Sequence, residues 1–93
     1  MLSQLPIDIE QIKNKELDKE ILRAGMIAEL DAVSFYEQMA SKTENGAIKK
    51  LLLDIAREEK THIGEFETML LQLDEEQVEE TEKGRKEVEE MMG

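Results

Sequence analysis

The sequence predicts an all-α chain: an antiparallel two-helix hairpin with a short C-terminal helix, suited to dimerise into a four-helix bundle. Three observations lead there. Two segments, about Lys15–Ser41 and Ala47–Leu73, carry apolar residues at i, i+3, i+4 and i+7 and contain no proline. Between them, Ser-Lys-Thr-Glu-Asn-Gly46 has the chemistry of a turn. A hairpin in a chain of 93 residues cannot bury a large core by itself.

Residues 1–14 form a lead-in arm. Pro6, and the alternation of Ile7, Ile9 and Ile12 with polar residues, suit an extended or short helical segment. The hairpin follows over residues 15–73. Asn14 is a candidate N-cap for its first helix, and Gly25 and Gly64 are the weak points of the two helices. At the turn, Asn45 and Gly46 tolerate the backbone angles that end helices. The remainder, residues 74–93, begins with Asp74-Glu-Glu-Gln77, a capping box in which the aspartate accepts from an amide three residues on and the glutamine reaches back. This last helix has few apolar positions, chiefly Val78, Val88, Met91 and Met92, so it should dock loosely with its acidic run in solvent.

Composition excludes several functions. With 12 basic and 23 acidic side chains the formal net charge is −11, which repels nucleic acid, and three aromatics offer no base-stacking platform. No apolar run is long enough to span a membrane, and the N-terminus lacks the pattern of a signal peptide. Without cysteine there is no disulfide framework, zinc knuckle or iron–sulfur cluster, and a cytoplasmic location is expected.

The chemistry sits inside the apolar stripes. On the first helix Leu22, Met26, Glu29, Val33, Tyr36 and Ala40 share a face; on the second, Leu52, Ile55, Glu59, His62, Ile63, Phe66 and Leu70 do. A charge in an apolar stripe costs several kcal/mol, roughly, unless something pairs with it. In an antiparallel hairpin, residues equidistant from the turn lie at one height. The midpoint of Glu29 and Glu59 is Glu44, within the turn, so these carboxylates should meet with His62 one turn away. Alone, a histidine on an apolar face is more often a hydrogen-bonded core residue than a ligand. Two carboxylates at its height favour a metal, because carboxylates bridge metal ions and imidazole anchors them.

Di-iron four-helix bundles take one glutamate from each of two helices and Glu-x-x-His from each of two others. One chain supplies half of this set, and a homodimer would supply both missing halves, of ligands and of core. Tyr36 is either a hydrogen-bonding neighbour of a ligating carboxylate or a core aromatic with its hydroxyl at an edge. Glu58, Glu65 and Glu67 are expected in solvent, and the methionines as gap-filling core residues.

The stretches ILRAGMIAELDAVSFYEQ (21–38) and LLLDIAREEKTHIGEFETMLLQL (51–73) resemble the encapsulated ferritins and the ferritin-like segments fused to some encapsulin shell proteins. The resemblance spans about residues 15–92 and implies a ferritin-like dimer, often in a ring of five such dimers. It implies an iron site across the dimer interface, with Glu29, Glu59 and His62 as ligands and Tyr36 beside them. The implied activity is ferroxidase, Fe(II) to Fe(III) with dioxygen or peroxide, supplying mineral to an encapsulin nanocompartment in the cytoplasm. Asp31 stands where relatives carry an acidic residue on the path by which iron enters, whereas Phe35 and Ala28 replace a tryptophan and a glutamate found in some. Glu-Met-Met-Gly93 holds no clear shell-loading tail, leaving open a domain cut from a fusion and a chain without an encapsulin partner. Two other functions use the same residues: a rubrerythrin-like peroxidase with an external electron donor, and a non-enzymatic oligomerising adaptor with Glu29 and Glu59 in buried polar contacts.

Overall fold

The structure, a computed structural model, describes residues 14–93 as three helices: α1 (Asn14–Lys42), α2 (Gly46–Leu73) and α3 (Glu75–Met92). The all-α expectation holds, and the element boundaries agree within about a residue. The arm expected over residues 1–14 lies, except for Asn14, outside the described residues. Asn14 is already helical, so it does not cap α1.

The turn works differently from the expectation. No described residue, glycine or otherwise, has positive φ. Asn45 instead adopts an extended conformation (φ −86°, ψ 112°), and its side-chain oxygen accepts from the amides of Ala47 (3.0 Å) and Ile48 (3.1 Å). Thr43 donates its amide to the Met39 carbonyl, closing α1, and its hydroxyl accepts from the Asn45 amide at 3.1 Å. Side chains thus satisfy the orphan amides of α2, and no left-handed residue is needed.

The two long helices run antiparallel, tied at three levels. Lys60 meets Glu37 at 3.1 Å near the turn, His62 meets Glu29 at 3.4 Å midway, and Arg23 meets Asp74 at 3.0 Å at the far end. Ala24, Ala40 and Ala56 are buried between them, so small side chains bring the backbones close. Only two large side chains are buried among the described residues, Leu22 and Leu70. Each contributes about 1.5–3 kcal/mol, a thin core for a hairpin of this length. Ile21, Ile27, Leu30, Leu51, Leu53 and Met69 stay exposed.

A single residue, Asp74 (φ −130°, ψ 90°), joins α2 to α3. Its Oδ1 accepts from the Gln77 amide at 3.0 Å, while Oδ2 accepts from the Arg23 guanidinium at 3.0 Å. The Gln77 amide bond holds its carboxyl below the usual 3.8; burial opposes that shift, and Lys19 and Arg23 reinforce it. The capping box is only half made: the Gln77 side chain reaches forward, donating to the Thr81 hydroxyl at 2.9 Å. No residue of α3 is buried. The molecule is flat, 47 × 44 × 17 Å, with a radius of gyration of 16.6 Å. A compact domain of this length would have about 12 Å. No helix among the described residues is long and apolar enough to cross a membrane.

Candidate metal centre

Midway along the hairpin, the two apolar stripes bring their polar interruptions together. Glu29 projects from α1, and Glu59 and His62 lie one turn apart on α2. Their ligand atoms all fall within 4.8 Å of one another. His62 Nδ1 is 3.3 Å from Glu59 Oε2 and 3.4 Å from Glu29 Oε2. The glutamate side chains are 18% (Glu59) and 21% (Glu29) exposed, and the imidazole is 45% exposed. The hairpin therefore covers most of both glutamates and leaves the imidazole as the open member of the set.

Glu29 Oε2 shows that these residues suit a cation. The atom is shut off from solvent yet makes no hydrogen bond, its approach to His62 being an electrostatic contact. Such an oxygen costs about 1–3 kcal/mol when left unsatisfied. A metal ion would satisfy it, and two carboxylates with one imidazole suit iron. Among the described residues no other His, Asp and Glu side chains come together as a possible metal-binding group. A cleft of about 600 Å³ beside Lys49 and Lys50 contains Glu37 and Asp54, but these already pair with Lys60 and Arg57.

The stripe residues around the cluster are all buried or half-buried. Tyr36 is half-buried, two helical turns beyond Glu29, with its ring edge-on to Phe35 (centroids 5.3 Å apart). Asp31 is half-buried, and Phe35 and Ala28 are exposed. Glu58, Glu65 and Glu67 are exposed as expected, but Glu65 also lines a cavity of about 370 Å³ with Leu22, Glu29, His62, Phe66 and Met69.

Two contacts of the hairpin were not anticipated from sequence. The Arg23–Asp74 pair joins residues 51 apart, with no local signal to announce it. The second is the Phe66 ring lying directly on Gly25. Its one sequence cue is spacing: Gly25 lies four residues before Glu29, and Phe66 four residues after His62.

A model of the rubrerythrin family matches residues 20–92. A ferritin-like-encapsulin shell fusion protein of Pyrococcus furiosus is 53% identical over 95 residues, a match covering all of this chain. The chain spans only 28% of that relative's length. The crystal structure of the encapsulated ferritin domain from Pyrococcus furiosus superposes with a TM-score of 0.83, at 50% identity and covering 94% of each chain.

Proposed function

This chain belongs to the rubrerythrin family and has an all-α ferritin-like fold, and from that premise we propose that it is a ferroxidase of the encapsulated ferritin kind. Family and fold imply iron binding. In the proposal two copies of residues 15–73 pair, and each contributes Glu29, Glu59 and His62 to one di-iron site. Residues 1–14 lead in, and 74–93 form a separate acidic helix. Iron then passes to an encapsulin compartment for storage, through a fusion or an associated shell, as the name of the Pyrococcus furiosus relative suggests. Further pairing into a ring of dimers belongs to the same proposal.

One observation carries it: two carboxylates and an imidazole within 4.8 Å, the imidazole open to solvent, on a hairpin whose own core is thin. Fe(II) is the substrate, and each ion oxidised gives up one electron. Two ions reduce dioxygen to peroxide, or peroxide to water. The carboxylates would compensate the metal charge and favour Fe(III) over Fe(II), while the imidazole would fix one ligand position. Tyr36, along the same face, serves as a hydrogen-bonding neighbour of the site.

The test is direct. Glu29→Ala and His62→Ala should abolish anaerobic Fe(II) binding and aerobic oxidation; both variants turning over iron at the parent rate would sink the assignment. The rubrerythrin match favours a second reading, peroxide reduction. With no cysteine in the chain there is no rubredoxin-type iron centre, so that activity needs an external electron donor. Turnover with peroxide plus a reductant, compared with Fe(II) and dioxygen alone, separates the two.

A further inference from the structure

Gly25 is usually an expense in a helix, about 0.5–1 kcal/mol against alanine. Its surroundings explain its place in α1. A Cβ built on Gly25 would lie 2.7 Å from Phe66 Cε1, 2.8 Å from Cζ and 2.9 Å from Cδ1. These are overlaps that real Cβ atoms do not make, so the Phe66 ring rests against the bare backbone of α1. Gly64, by contrast, has open space where its Cβ would be.

The seat is one turn from the ligands on both helices. Gly25 precedes Glu29 by four residues, and Phe66 follows His62 by four, so each pair shares a helix face. Enlarging residue 25 leaves two responses. The ring can swing into the neighbouring cavity of about 370 Å³, which Glu29 and His62 also line. Otherwise α1 and α2 part at this level, lengthening the 3.4 Å approach of Glu29 to His62. Either response disturbs the same pair.

We infer that Gly25 and Phe66 together are positioning residues for the metal ligands: the glycine seats the ring, and the seated ring sets His62 against Glu29. The inference rests on the proposed role of Glu29, Glu59 and His62 in binding metal. Its central geometric claim concerns the metal-free protein and can be read there.

The chain has one histidine, so the imidazole ¹H–¹⁵N spectrum reports His62 alone. Gly25→Ala should shift these signals in metal-free protein and weaken anaerobic cobalt(II) binding about 10-fold or more, the loss typical of disturbed supporting residues around a metal. Gly64→Ala makes the same chemical change in open space and should alter neither. Gly25→Ala with Phe66→Leu relieves the overlap and should bring the affinity and the cobalt visible spectrum back towards the parent's. If Gly25→Ala does not fold, Phe66→Ala decides the matter, since removing the ring must move the His62 signals.

His62 signals unmoved by either variant overturn the inference. So does a double variant no better than Gly25→Ala alone. If the parent binds no cobalt, or Glu29→Ala binds it equally well, the metal assignment fails instead, and the His62 spectrum still decides the role of Gly25.

Discussion

Asp74 holds two elements with one side chain. Its carboxylate caps α3 through the Gln77 amide and anchors that cap to α1 through Arg23. Because its folded pKa is depressed below 3.8, the folded state binds fewer protons than the unfolded state in this range. The stabilisation is therefore complete above the ordinary value and is lost as pH falls through the lower folded one. The Gln77 amide resonance should titrate with a midpoint below 3.8, and Asp74→Asn, which can still cap but cannot ionise, should abolish the titration. A midpoint at or above the ordinary value would show that the two bonds do not hold the carboxylate in solution. Glu29, Glu59 and His62 illustrate what sequence makes legible at this scale, since polar residues breaking two apolar stripes at matched distance from a turn could be paired without a structure. Arg23 could not be assigned to Asp74, because nothing in helical periodicity says where α3 departs.

At the scale of elements, both long helices were legible because their apolar period runs without proline for seven turns or more. The turn was located correctly but for an incomplete reason: Asn45 acts through its side chain, not through a left-handed backbone. Asn45→Ala should cost about 1 kcal/mol and Asn45→Gly only a few tenths, measured by chemical denaturation at fixed protein concentration. Equal losses would mean that the side-chain oxygen is not the cap. The Gln77 side chain shows the limit of motif reading, for a glutamine at the right spacing found Thr81 one turn ahead instead of the amide behind it. Gly25 marks a further limit. A glycine within a stripe signals either weakness or close approach, and only the facing Phe66 decides which.

The whole molecule is a thin plate, and its apolar surplus is its most telling property. Leu22 and Leu70 are buried, while Leu51 and Met69 are 58% and 57% exposed. A chain stabilised largely by pairing has a melting temperature that rises with protein concentration. The melting temperature should therefore climb measurably over a hundredfold concentration range, and a constant value would argue for a self-sufficient monomer. Sequence length and core size lead to the expectation of a partner, and in the proposed dimer the half-covered ligand cluster gives that partner a chemical reason. In the proposed dimer, the surface that lacks a cover is also the one that holds half of the di-iron ligand set. The central claim is that both deficits are met by a second copy, and a crystal structure of the protein loaded anaerobically with Fe(II) tests it most directly. The account predicts two iron ions held between paired hairpins, with Glu29, Glu59 and His62 contributed by both chains; iron ligated wholly within one chain, or paired hairpins with no iron at these residues, would contradict it.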